Sequence, residues 1–199
     1  MSRKRVAAFV AVALAAAIAG TAGAGLLHRV AAPPMGSKVT VHGEWTIIVR
    51  NKHHKIVARR HFENALVPSG AAVLARLLSR ASAAGSWGVN IGFGAIVDSI
   101  NTASDSPPFY KNLTVTAPTS GPDANKVVLS GTATPSADTT INNVDTYLGE
   151  CTGPATAGCV SPASSQFTHK VLDGLNGDPA AVPVAAGQQV AVTVKLSFS

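Results

Sequence analysis

Aromatic residues make up 5% of this 199-residue chain, charged residues 13%, and cysteine occurs twice. Each scarcity excludes something. Cys151 and Cys159 have no Cys-x-x-Cys partner and no ligand-spaced neighbours, so neither a zinc site nor a redox dithiol is expected. The chain holds no Gly-x-Ser-x-Gly, Walker loop or His-Glu-x-x-His. The common local signatures of catalysis are therefore missing, and the reading is of a protein without catalytic residues, cofactor or metal. Gly92-Phe-Gly94 lacks the third glycine of a dinucleotide site and reads as relief of crowding between strands. Asp173-Gly-Leu-Asn176-Gly-Asp178 lacks the spacing of a calcium loop and reads as a turn.

Acidic residues are nearly absent from the first 80 positions. Only Glu44 and Glu63 stand there against 12 Lys and Arg, while positions 81–199 hold 4 Lys against 8 acids. The net charge of +6 thus belongs to one end of the chain. Its densest cluster is Arg50-Asn-Lys52-His53-His54-Lys55 with Arg59, Arg60 and His61. No aromatic interleaves these cations as base stacking requires, so a solvated hairpin tip is expected and nucleic acid is not. Arg59 and Arg60 remain candidate surface-contact residues for anionic partners.

What the chain does have, first, is Arg3-Lys-Arg5 followed by an uncharged apolar run, Val6–Leu27. At about 1.5 Å per residue this run can cross a bilayer core of about 30 Å. Its Ala/Gly richness and the small residues Ala22-Gly23-Ala24 point instead to a cleaved export signal. Residues 1–27 are read as signal peptide or membrane anchor, 28–38 as a Pro/Gly/Ser-containing linker, and 39–199 as one domain facing outward. In that compartment Cys151 and Cys159 are expected to pair, closing a short loop worth about 2–3 kcal/mol of chain entropy.

The remaining pattern is that of strands. Val39, Val41, Trp45, Ile47 and Val49 alternate with polar residues, and Lys55–Phe62 resumes after a polar turn, predicting a hairpin. Ser69 as N-cap, Val73, Leu74, Leu77 and Leu78 predict one amphipathic helix over about 69–83, ended by Gly85. Trp87–Phe93 reads as a short strand and 98–125 as a long loop, with strands over 126–134, 139–149, 166–172 and 188–198. The last is the clearest: Val190, Val192, Val194, Leu196 and Phe198 share one side. The fold class expected is mainly β, an antiparallel β-sandwich of jelly-roll or Ig-like type, with one amphipathic helix and the N-terminal signal or anchor helix. Phe109 and Tyr110, on the long loop, are candidates for stacking against a sugar face.

The order of segments resembles a family of small β-rich proteins found among phage tail and tail-fibre components. The matching pieces are Trp45-Thr-Ile-Ile-Val-Arg50, Phe62-Glu-Asn64-Ala-Leu-Val67 leading through Gly70 into Leu74–Leu78, and Val89-Asn-Ile-Gly92-Phe-Gly94. Val127–Ala133 with Ile141-Asn-Asn-Val144 and the terminal Pro183–Phe198 complete it, over roughly residues 39–199. The resemblance implies a compact sandwich and a non-enzymatic role in assembly or attachment. The partners it implies are other copies or other virion or cell-surface proteins. The second role weighed is that of a secreted carbohydrate- or cell-surface-binding module, with a glycan as ligand. Residues 6–27, if retained, would bring in the membrane.

Overall fold

The computed structural model describes residues 39–98, 109–152 and 164–199. The chain begins as the alternation predicts: β1 (Val41–Arg50) turns at 51–55 into β2 (Ile56–Leu66). Asn51 makes the turn, its Oδ1 accepting from the backbone of His53 and Lys55, while His54 adopts φ 60°. The helix α1 (Pro68–Leu78) follows, then β3 (Ser82–Asn90), β4 (Ala95–Asp98), β5 (Phe109–Thr116), β6 (Val127–Ala133), β7 (Thr139–Ile141), β8 (Asn143–Thr152), β9 (Ser164–Val171), β10 (Val182–Val184) and β11 (Gln189–Phe198).

These strands do not form a sandwich. Nine of them close into a barrel in the order β1-β11-β6-β5-β4-β3-β8-β9-β2, and β7 pairs with β10 in a separate two-stranded sheet. The expected sandwich is thereby corrected. Alternation within a strand specifies which residues turn inward, and both architectures satisfy it; pairing between the outermost strands is what differs. Here β1 lies between β2 and β11, in register with the latter from Val41↔Phe198 to Arg50↔Gln189. Two further pairings complete the ring. β4 and β5 run parallel (Ala95↔Phe109), and β2 meets β9 at Ala65↔His169 and Leu66↔Thr168.

The interior is filled by side chains. Trp45, Ile47 and Val49 from β1, Val190, Val194 and Leu196 from β11, and Leu129 from β6 are fully buried in one hydrophobic cluster. Trp45 stacks on Phe62 with ring centroids 6.0 Å apart, and Phe167 meets Trp87 edge to face at 5.5 Å. Small residues make room for large ones: a Cβ on Gly131 would stand 2.6 Å from Ile96 Cγ2, so Ile96, two strands along the ring, fills that space. The ends are covered too. Strand directions put α1 at the end where β2 finishes and β3 starts, and put β7 and β10 at the opposite end, with Ile141, Val182 and Val184 in the core.

The helix is shorter than predicted and held differently. Pro68 starts it after Val67, with no side-chain cap, and Ser69 Oγ instead donates to the Gln166 carbonyl on β9. Gly70 sits directly against β9: a Cβ there would be 2.3 Å from the Phe167 carbonyl oxygen. Val73 is fully buried beneath the helix. At its end, Arg80 (φ 59°) takes the left-handed position expected of Gly85, with Arg80 N–H donating to Leu77 O and Ala81 N–H to Arg76 O. Gly85 lies inside β3.

The expected long loop 98–125 contains β5, and the segment expected as one strand over 139–149 breaks at Asn142, whose carbonyl accepts from Leu172 N–H. Residues 173–178 form the expected turn, with Asp173 Oδ1 accepting from Leu175 N–H and Gly174, Asn176 and Gly177 at positive φ. Lys38–Ser199 forms one compact unit. The signal or anchor segment and the linker, residues 1–38, lie outside the described residues. No helix among the described residues is long and apolar enough to cross a membrane.

Candidate docking seam on the barrel

The ring is closed weakly at one place. β2 is paired with β1 along most of its length, from Arg50↔Ile56 to His42↔Ala65, but on its other side it pairs with β9 only through Ala65 and Leu66. Among the described residues, Ile56–Asn64 therefore has no ladder partner on that side. Backbone N–H and C=O groups along a strand edge remain available to another strand.

Beside this edge lies a groove of about 410 Å³. Val57 and Ala58 form one wall, and Asp138, Thr139, Pro183, Val184, Ala185 and Gln188 the other. Three side chains tie the region together without closing it. Arg60 Nε donates to the Ala180 carbonyl at 3.4 Å, Lys170 pairs with Asp178, and Asp138 Oδ1 accepts from Ala186 N–H at 2.8 Å. Ile56 and Val57 are about half exposed, at 52% and 51%.

The basic cluster falls on the same strand and turn. Arg50, Lys52, Lys55, Arg59 and Arg60 form no ion pair among the described residues. Arg50 donates to the His54 carbonyl, and Arg60 to the carbonyls of Arg59 and Ala180. By contrast Arg76, Lys126, Lys170 and Lys195 each meet a carboxylate. Lys195 and Lys126 both bond Asp123, holding its carboxyl below the usual carboxylate range, and Arg76 grips Glu150.

A second polar cluster lies on the outward side of β3, β8 and β9. Asp145, 2% exposed, accepts from Gln166 Nε2 and His169 Nδ1 at 2.5 Å, and from Asn90 and Asn143 through its other oxygen. Burial, reinforced by the Asp145 charge, raises the Tyr147 hydroxyl above its ordinary pKa. Every partner of Asp145 comes from one of three adjacent strands, so the cluster joins those strands and fixes their register. No group of three or more His, Cys, Asp or Glu among the described residues is placed to hold a metal.

The sequence-predicted contact residues divide between two sides of the barrel. Arg59 and Arg60 are on β2 at the seam; Phe109 and Tyr110 open β5, four strands away around the ring. Tyr110 is not free to stack on a ligand: its hydroxyl donates to the Thr134 carbonyl and its ring meets Phe93 at 6.5 Å. Phe109 is 37% exposed. Cys151 lies on β8, and Cys159 is outside the described residues.

Two features escape sequence reasoning. The unpaired edge of β2 leaves no trace in residue alternation. His169 lies 24 residues from Asp145 in the sequence and meets it because β8 and β9 pair. Comparison with family models, with curated proteins and with solved structures finds no match to this chain.

Proposed function

We propose that this chain is a non-enzymatic attachment protein, exported or anchored through residues 6–27, that works by surface contact at the β2 seam. The role agrees with the one implied by its resemblance to phage tail and tail-fibre components, on a virion or at a cell surface. The observation that carries it is the contrast between a barrel filled with side chains and a nine-residue strand edge flanked by unneutralised cations and an apolar groove. Such a molecule has its free bonding capacity on the outside. In this reading Cys151 and Cys159 pair and pin the loop between β8 and β9 in an oxidising compartment.

The test uses the full chain displayed on its own cell or particle, with attachment to target surfaces measured for the wild type and for Lys55→Glu/Arg59→Glu. Attachment lost in the double variant, with unchanged circular dichroism, supports the reading. Attachment that survives it contradicts the seam as the contact site. A glycan-binding role would rest on Phe109, the exposed ring at the head of β5. A glycan array on which Phe109→Ala loses a signal that Lys55→Glu/Arg59→Glu keeps would favour that reading instead.

A further inference from the structure

We infer that the β2 seam takes up an extended, acidic segment of a partner protein as an additional strand. The inference rests on the contact role proposed above and names the partner's chemistry. Three observations converge on it.

The first is the edge. Ile56–Asn64 offers one side of a strand about 30 Å long, at about 3.3 Å per residue, with no ladder partner among the described residues. Strand addition is the ordinary way such an edge binds peptide: main-chain bonds supply affinity, and alternate side chains supply specificity. The second is charge. Lys52, Lys55 and Arg59 have no carboxylate partner, and the guanidinium of Arg60 is spent on carbonyls. The acid on the groove wall, Asp138, is engaged by the Ala186 backbone amide. The third is the half-exposed Val57, which with Ala58 lines a groove of about 410 Å³, within the usual size of ligand sites.

Charge also decides between occupants. A second copy pairing β2 with β2 about a two-fold axis centred on Arg60, the middle of the edge, would set Arg60 against its own counterpart and Arg59 against His61. Like charges directly opposed disfavour that pairing, which is how edge cations commonly prevent self-association. An acidic strand meets attraction where a copy meets repulsion. An anionic polysaccharide would satisfy the cations but has no regular run of main-chain N–H and C=O groups to extend the ladder.

The experiment titrates the full chain with a fluorescent nine-residue peptide of alternating glutamate and valine, read by anisotropy. Two further peptides carry N-methyl groups on one or the other set of alternate amides, removing the ladder without altering charge. A lysine-for-glutamate peptide and heparin complete the series. Expected is saturable binding of the acidic peptide, at least tenfold weaker binding of one N-methylated version, none of the lysine peptide, and tenfold loss in Lys55→Glu/Arg59→Glu.

Equal binding of the acidic peptide and both N-methylated versions overturns strand addition in favour of charge alone. Heparin binding at the seam more tightly than the acidic peptide assigns the site to a polyanion and overturns the inference too. The N-methylated arms use the wild-type chain, so they decide the matter even if the double variant fails to fold. If no peptide binds while the double variant still abolishes surface attachment, the acidic strand is refuted and the contact role stands. If attachment is indifferent to the double variant, the contact role itself falls.

Discussion

Replacing Gly70 by alanine sets two energies of opposite sign against each other. Inside a helix, glycine is worse than alanine by about 0.8–1 kcal/mol, so propensity alone predicts that Gly70→Ala stabilises the barrel. Packing predicts the reverse. The added Cβ would lie 2.3 Å from the Phe167 carbonyl oxygen and 2.8 Å from its Cα, both backbone atoms of a strand paired on two sides. Ordinary contact requires about 1 Å more than is available, and neither the carbonyl nor the strand can swing aside as a flexible side chain would.

The helix must therefore lift from β9. Lifting it stretches the Ser69 Oγ to Gln166 carbonyl bond, the Val67 N–H to Phe167 carbonyl bond, and the cover over Val73. Overpacking of this kind costs about 1–3 kcal/mol, and a lost backbone-directed bond adds about 1 kcal/mol. Net destabilisation of about 2 kcal/mol is expected once the propensity gain is subtracted. In a domain of this size that lowers Tm by about 4–8 °C. Urea unfolding followed through Trp45 and Trp87 fluorescence gives the number. Ala72→Gly, at an exposed position of the same helix, calibrates propensity and should cost about 1 kcal/mol. A Gly70→Ala protein as stable as the wild type, or more so, refutes the close approach of α1 to β9.

Four other outcomes are expected. Arg80→Gly, at φ 59° after the helix, should raise stability by about 0.5–1 kcal/mol, measured by the urea midpoint. Asp145→Asn places an amide among four donors, so it should cost about 2–4 kcal/mol by the same measurement, and Asp145→Ala no less. The Glu150 carboxyl is held below its ordinary 4.5 chiefly by the Arg76 bond, with help from Ser82. A depressed folded-state value means stability that is present above 4.5 and lost as pH falls through the lowered value, so Glu150→Gln should flatten the acid limb of a Tm-versus-pH profile. Arg76 is nearly half exposed, and raised salt should shrink the effect. Ending the chain before Gln189 removes the strand between β1 and β6 and should abolish cooperative unfolding in a thermal melt.

How far the architecture could be read from residues differs element by element. β11 was legible because Val190, Val192, Val194 and Leu196 alternate without a break, and β1 because Trp45, Ile47 and Val49 do the same. The helix was legible through Val73, Leu74 and Leu77, but its end was not. Gly85 is the stronger sequence signal, yet Arg80 takes the left-handed position because the chain must already be extended at Ser82 to pair with Thr152. β5 was missed since only Leu113 among its eight residues is buried, leaving nothing periodic to detect.

Closure is the part that residues do not carry locally. Whether a sheet curls into a ring depends on which strands become neighbours, and β2 with β9, or β4 with β5, are neighbours without being joined by a tight turn. Two paired residues suffice at the β2–β9 joint because the helix beneath it does part of the work: Val67 N–H continues the contact to Phe167, and Ser69 extends it to Gln166. Below the joint, then, the helix binds the strands together; above it nothing among the described residues pairs with β2 on the side away from β1 until the chain turns at Asn51. The strand must diverge there to admit the β7–β10 cover that buries Ile141, Val182 and Val184. The same divergence that seals the core at that end leaves the edge of β2 open. On this account the seam follows from capping a barrel with a two-stranded cover, and edge cations alone are also what keeps a strand from self-association, so binding to the acidic peptide is the measurement that separates a docking edge from an accident of packing.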